Sequence, residues 1–89
     1  MKIKPIFKIR QIAGENLVVN QGNSFADMTK VISLNGSAVF LWNELADKDF
    51  TLDDAADVLV AQYGIEKNVA LNDAERWIEK MRECEIIED

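Results

Sequence analysis

Apolar residues recur at helical spacing in the middle of the chain, between residues 34 and 45. The apolar side of this predicted helix is formed by Leu34, Ala38, Leu41, Trp42 and Leu45. Such spacing is typical of an amphipathic helix that packs one face on a core. Asn35 is a suitable N-cap, because its side chain accepts a hydrogen bond from an early backbone N–H. We expect this first helix to end near Asp47.

Two further segments show the same spacing. Thr51 followed by Asp54 predicts a capping box at the start of a second helix, and Gly64 stands where a left-handed C-terminal cap belongs. A third helix is expected to start between Glu66 and Asn68. The apolar stripes of these two helices are Leu52, Ala56, Leu59, Val60 and Tyr63, then Ala70, Ala74, Trp77, Ile78 and Met81. Each of the three helices therefore offers one face to a shared core.

The N-terminal part of the chain has a period of two instead. In residues 6–13, Phe7 and Ile9 fall on one side, and Lys8 and Arg10 fall on the other. This alternation predicts a strand with one face on the core and one face in solvent.

Two more strands follow before the first helix. Residues 14–16 (Gly-Glu-Asn) have turn chemistry, and residues 17–19 (Leu-Val-Val) predict a second strand that forms a hairpin with the first. Residues 30–34 predict a third strand. Ile86 and Ile87 are expected to fold back onto the core as a short extended tail. A three-stranded antiparallel sheet followed by three helices gives an α+β fold.

The length and composition of the chain limit its domain count, its partners and its cellular compartment. The chain has 89 residues, so we expect one domain over residues 1–89. Its formal net charge is −6, which disfavours nucleic acids and anionic membranes as partners. The longest apolar run, Ala38 to Trp42, is far too short to span a membrane. Cys84 is the single cysteine, so no intrachain disulfide forms, and this fits a reducing cytoplasm.

The sequence contains no pattern that predicts catalysis. It has no histidine, so Cys84 and the serines lack the base that usually activates a nucleophile. Asp53, Asp54 and Asp57 suit the positive end of the second helix and match no calcium or magnesium loop motif. We therefore expect no enzyme activity, no metal site and no cofactor.

Several short motifs have a familiar order. They are Arg10, Ala13-Gly14, Leu17-Val18-Val19, Leu34-Asn35, Ala38, Trp42-Asn43-Glu44-Leu45, Thr51-Leu52 and Tyr63-Gly64-Ile65. In this order the chain resembles the PqqD family, the coenzyme PQQ synthesis protein D type, from about Phe7 to Ile87. One departure is Glu85, which stands before Ile86-Ile87 where the family often has a glycine, so the shape of the last helix end is open.

The resemblance implies a winged-helix-like domain for peptide recognition. Members of the family bind the leader part of a ribosomally made precursor peptide and present it to a radical SAM enzyme. The leader lies as an added strand beside the third strand, in a groove walled by the third helix. On this interpretation the peptide-binding residues are Thr29, Lys30, Val31, Ile32 and Ser33 at the backbone edge, and Ala74, Arg76, Trp77, Ile78, Lys80 and Met81 on the helix.

Each of these residues also has a simpler interpretation. Trp42 and Trp77 are typical core residues, and Val31 is either an outward peptide contact or only a β-branched strand former. Arg76 and Lys80 either pair with carboxylates of the leader or with the neighbouring Glu75, Glu79 and Glu83. The cluster Lys2, Lys4, Lys8 and Arg10 is either a solvated strand face or a contact for an acidic partner.

Two other functions stay open at this stage. One is a winged-helix regulator that binds DNA, since the three-helix arrangement is shared, although the acidic start of the second helix has the wrong charge for phosphates. The other is a structural partner subunit without leader binding, with Phe25 and Met28 as contacts that would also allow a homodimer.

Overall fold

The computed structural model describes residues 1–20 and 32–88. Its strands are β1 (Lys2–Ile3), β2 (Phe7–Ile12), β3 (Glu15–Asn20), β4 (Ile32–Leu34) and β5 (Ile87–Glu88), and its helices are α1 (Gly36–Leu45), α2 (Leu52–Tyr63) and α3 (Lys67–Glu83). Strands β2, β3 and β4 form an antiparallel sheet in that order. The predicted α+β fold, with a three-stranded sheet followed by three helices, is confirmed.

The turn of the β2–β3 hairpin lies one residue earlier than its polar residues suggest. Ile12 pairs with Glu15, so the loop consists of Ala13 and Gly14 only, with φ angles of 53° and 82°. Two left-handed residues make a tight hairpin turn whose twist matches that of the strands. The predicted turn at residues 14–16 is therefore wrong in its position, because Glu15 and Asn16 already belong to β3.

The predicted helix caps are confirmed. Asn35 caps α1 by accepting a hydrogen bond from the backbone N–H of Ala38 at 2.9 Å. Thr51 and Asp54 form a reciprocal capping box at the start of α2. Gly64 ends α2 with a φ of 65°. These caps fix where α1 and α2 begin, and they therefore fix how β4 passes into α1.

The chain ends add a second, two-stranded sheet that the sequence analysis did not predict. Lys2 of β1 pairs with Glu88 of β5, and Ile3 pairs with Ile87. Ile86 and Ile87 are buried, as expected for a tail that folds back onto the core. Strand β1 went unpredicted because two residues are too few to show a period.

The core lies between the three-stranded sheet and the helices. Val18 pairs with Ile9 on one side and Ile32 on the other, so these three side chains share the inner face of the sheet. Val18 is buried, while Ile9 and Ile32 pack against the core from its edge. Trp42 of α1 is also buried, as predicted.

Candidate peptide-binding site

A groove of about 520 Å³ lies between β4 and α3, with α1 and the end of α2 at its sides. Its lining consists of Ser33, Leu34, Asn35, Ser37, Ala38, Leu41, Leu59, Tyr63, Ile65, Asp73, Arg76, Trp77 and Lys80. The groove therefore combines a strand, a helix N-terminus and a long helix face in one surface.

Strand β4 forms one wall of the groove and is an edge of its sheet. It pairs with β3 through Ile32, Ser33 and Leu34, and within residues 1–20 and 32–88 no strand lies beside its other edge. An edge strand carries backbone N–H and C=O groups that a further strand can complete. Of the predicted edge residues, Thr29, Lys30 and Val31 lie outside the described residues.

Ile32 and Ser33 point their side chains to opposite faces of the sheet. Ile32 packs against the core, whereas Ser33 is exposed and contributes to the groove lining. Because side chains alternate along a strand, a strand added beside β4 would also alternate. Its residues next to Ile32 and Leu34 would face the helices, and the residue next to Ser33 would face outward.

Helix α3 forms the opposite wall. Asp73, Arg76, Trp77 and Lys80 line the groove because they are spaced three or four residues apart on one helix face. Trp77 belongs to the core as well, with only 7% of its surface exposed. Its ring centroid lies 6.1 Å from that of Phe50, which holds the indole in place from behind.

The indole of Trp77 carries a polar atom without a partner. Its Nε1 is buried and donates no hydrogen bond to any residue in the described part of the chain. A buried donor left unpaired usually costs about 1–3 kcal/mol. Trp77 thus lines the groove, belongs to the core and carries a buried donor without a partner in the described part of the chain.

Three of the predicted wall residues lie deeper than the groove surface. Ala74 and Met81 have no exposed surface, and Ile78 has 5%. None of them lines the groove. They support the wall from within the core, and their direct contact with a peptide stays a prediction.

The two cations of the groove are not held by their acidic neighbours on α3. Arg76 and Lys80 are exposed, and the ion pairs in the described residues do not include them. The alternative pairing with Glu75, Glu79 and Glu83 is therefore absent here. This side of the groove therefore carries two cations without an ion-pair partner in residues 1–20 and 32–88, beside the carboxylate of Asp73. The two cations are suited to bind carboxylates of a ligand.

The sequence analysis missed the part of the lining that comes from α1 and α2. Asn35 and Ser37 add polar atoms at the start of α1, and Tyr63 and Ile65 add apolar surface at the end of α2. Tyr63 is 47% exposed and meets Phe40 edge to face, with ring centroids 6.2 Å apart. The sequence analysis placed Tyr63 on the core-facing stripe. The available signal for this end of the groove was a tyrosine, with its polar hydroxyl, as the last residue of that stripe before Gly64.

Neither a metal site nor a membrane span is found in the described chain. No group of three or more His, Cys, Asp or Glu side chains there is placed to hold a metal ion. None of the helices within residues 1–20 and 32–88 has the length and apolar character that a membrane span requires.

Comparison with known proteins identifies a matching family model and a solved structure with a similar fold. The family model described as coenzyme PQQ synthesis protein D (PqqD) matches residues 16–87. A solved structure, TbiB1 in complex with the TbiA(beta) leader peptide, is similar with a TM-score of 0.72 and 16% identity, covering 99% of this chain and 95% of that chain. At this identity the likeness shows the fold alone. No curated protein matches the chain.

Proposed function

This chain belongs to the PqqD family, and on that premise we propose that it binds the leader of a ribosomally made precursor peptide and presents it to a modifying enzyme. The observation that carries the proposal is the groove beside the open edge of β4. The structural likeness to TbiB1, which was solved with a leader peptide, supports the same use of the fold.

The open edge of β4 supplies backbone partners for an extended peptide. Strand addition satisfies N–H and C=O groups on both sides and tolerates many sequences. Each such hydrogen bond contributes only about 0.5–1.5 kcal/mol net. Because β4 is only three residues long in the described chain, side chains in the groove must supply much of the affinity.

The groove offers two kinds of contact for those side chains. Leu41, Leu59 and Trp77 present apolar surface, which favours a large apolar residue at an inward position of the peptide. Arg76 and Lys80 favour a carboxylate nearby, since both cations lack an ion-pair partner within residues 1–20 and 32–88. The proposed ligand is therefore an extended peptide with apolar and acidic residues.

The proposed role includes no catalysis by this chain. The groove holds Ser33, Asp73 and Lys80 but no histidine or thiol, since the chain has no histidine and Cys84 is not part of the lining. The chemistry belongs to a separate enzyme, which the family membership suggests is of the radical SAM type. The chain holds the leader so that the rest of the precursor reaches that enzyme.

A calorimetric titration with the leader of the precursor peptide encoded beside this chain tests the proposal. We expect one-to-one binding, weakened roughly tenfold or more in Arg76→Glu because a carboxylate on the peptide then meets a like charge. Lys48→Glu is the control: it makes the same charge change at an exposed position outside the groove. Absence of heat at two well-separated temperatures, at about tens of micromolar wild-type protein and leader, would exclude leader binding at that affinity.

DNA binding fits the structure less well. Asp53 and Asp54 occupy the first turn of α2 and repel phosphates. The exposed side of α3 has Glu75, Glu79 and Glu83 interspersed with its cations. A gel shift with duplex DNA that weakens with salt would be the result that favours this alternative.

A further inference from the structure

The three-stranded sheet has a second face, opposite the face whose residues pack against the core in residues 1–20 and 32–88. Across the strands of this sheet, Lys8 lies opposite Val19, Arg10 opposite Leu17, Leu17 opposite Ser33, and Ile12 opposite Glu15. Because residues directly opposite each other share a face, all of these side chains lie on one side of the sheet. We call this surface the outer sheet face, and it consists of Lys8, Arg10, Ile12, Glu15, Leu17, Val19 and Ser33.

The outer sheet face carries apolar groups that the core does not use. Leu17 and Val19 are half-buried between their neighbours in the sheet, yet they are not among the residues that pack against the core. Ile12 is 51% exposed. A strand side that only faces water would be expected to hold polar residues at these three positions.

Two cations lie directly beside these apolar groups. Lys8 and Arg10 are exposed, and neither takes part in the ion pairs of the described chain. They stand out because the whole chain carries a net charge of −6. The face carries these two cations against one carboxylate, Glu15, so it is complementary to a protein patch that offers carboxylates around an apolar centre.

We propose that the outer sheet face is a second docking surface, which binds an acidic, partly apolar patch on the enzyme that modifies the bound peptide. This inference rests on the proposed function, because it assigns the enzyme a place next to the peptide. The buried centre of a protein interface is more apolar than its rim, and Arg is enriched in interfaces, which suits Ile12, Leu17 and Val19 beside Arg10.

The same geometry connects the docking surface to the peptide. A strand added beside β4 places its residue next to Ser33 on the outer side, at the end of the row Arg10, Leu17, Ser33. The bound leader thus extends the outer sheet face by one strand. The enzyme meets a larger surface on the loaded protein, so the leader and the enzyme strengthen each other's binding by the same factor.

Nucleic acid is the less suitable occupant of this face. A nucleic-acid surface is expected to gather several cations along a phosphate backbone. Here Lys8 and Arg10 have Leu17, Val19 and Ile12 as their neighbours, and apolar side chains gain nothing from phosphates. The outer sheet face is thus suited to a protein.

The test measures two affinities on the full chain with two variants. The probes are the leader peptide and the purified enzyme that acts on its precursor, each titrated against wild type, Arg10→Glu and Lys48→Glu. We expect Arg10→Glu to weaken enzyme binding roughly tenfold or more and to leave leader binding within about twofold of wild type. We expect Lys48→Glu to change neither affinity. Adding saturating leader should lower the Kd between the enzyme and the wild-type protein.

The outcomes separate this inference from the proposed function. If wild type does not bind the leader, the proposed function fails first. If the leader binds but Arg10→Glu binds the enzyme as tightly as wild type, the docking surface is wrong and leader binding stands. Loss of salt-dependent binding to duplex DNA in Arg10→Glu, with unchanged enzyme binding, assigns the face to nucleic acid and overturns the inference.

Discussion

Glu85 holds the position at which α3 turns back toward the core. Its φ of 57° is left-handed, and the N–H groups of Glu85 and Ile86 donate to the carbonyls of Arg82 and Met81. These two bonds are the C-terminal capping pattern that glycine usually makes. The chain therefore makes this helix end without a glycine, and a residue with a side chain bears the left-handed strain.

Glu85→Gly should stabilise the protein. A left-handed conformation costs a residue with a Cβ about 1–2 kcal/mol, and the extra freedom of glycine in the unfolded chain offsets part of that gain. We expect the free energy of unfolding to rise by roughly 0.5–1 kcal/mol in a urea titration. Glu83→Gly is the matched control, since Glu83 is helical, and it should lower stability by up to about 1 kcal/mol. A loss of stability in Glu85→Gly would contradict this account of the helix end.

We expect Trp42 to support the site from the core without contacting the peptide. It is 4% exposed, lies in the core and is absent from the groove lining. We expect Trp42→Ala to lower the free energy of unfolding by roughly 3–5 kcal/mol in a chemical denaturation. Trp42→Phe keeps most of the volume and should retain leader binding. A folded Trp42→Phe protein that no longer binds the leader would show that the indole has a direct role.

At the residue scale, the residues that cap the helices could be predicted from the sequence, whereas a residue's double role in the core and in the groove could not be read from its spacing. The sequence predicts the caps at Asn35, Thr51 and Gly64, because capping depends on neighbours a few residues away. The left-handed Ala13 gives no such signal, since alanine has no preference for that conformation. The spacing of Trp77 indicates only a core residue in its helix stripe. The family resemblance implied a place at the groove wall, and the structure shows the residue both buried and lining the groove.

At the scale of elements, the joint between β4 and α1 matters most for the site. Leu34 ends the edge strand in the core, and Asn35 caps the helix directly after it. The edge of β4 is therefore held in position by the burial of Leu34 below it and by α1 beyond it. The helix that first appears as an amphipathic stripe thus also positions the strand that the peptide is proposed to join.

The contact between α2 and α3 depends in part on Lys67. Its ammonium donates a hydrogen bond to Asp57 and lies 3.7 Å from Asp53. The hydrogen bond to Asp57 raises the pKa of Lys67 above its usual value. The stabilisation is therefore complete below the ordinary lysine pKa and is lost as the pH rises through the higher value of the folded state.

Lys67→Met should lower the melting temperature slightly at neutral pH. Exposed ion pairs contribute little and are screened by salt, so the difference from wild type should shrink as the salt concentration rises. Lys48→Met removes an exposed lysine that has no ion pair within residues 1–20 and 32–88, and it should change the melting temperature less. Equal effects of the two variants at low salt would contradict a specific contact between α2 and α3.

Element order could be predicted from sequence, but pairing at the chain ends could not. The six-residue strand β2 shows a period of two. Strands β1 and β5 have two residues each and come from opposite ends of the chain, so no local pattern connects them. Only the tertiary fold brings Ile3 beside Ile87.

At the scale of the whole molecule, the candidate site forms only when distant parts of the chain fold together. Its walls come from β4 and α3, and its ends come from α1 and α2, so residues up to position 80 meet those near position 33. The family resemblance predicted this meeting of strand and helix, whereas periodicity alone showed three separate helix faces. The charge of this acidic chain is also uneven, because the groove and the outer sheet face each carry two cations that have no ion-pair partner within residues 1–20 and 32–88.

A two-dimensional NMR titration of the full chain with the leader peptide tests the central claim most directly. Two indole N–H signals serve as matched reporters, since Trp77 lines the groove and Trp42 does not. We predict shifts for the amides of Ile32 to Leu34 and for the Trp77 indole, with the Trp42 indole nearly unchanged. Strand addition beside β4 would be contradicted if the leader bound while the amides of Ile32 to Leu34 and the Trp77 indole kept their positions.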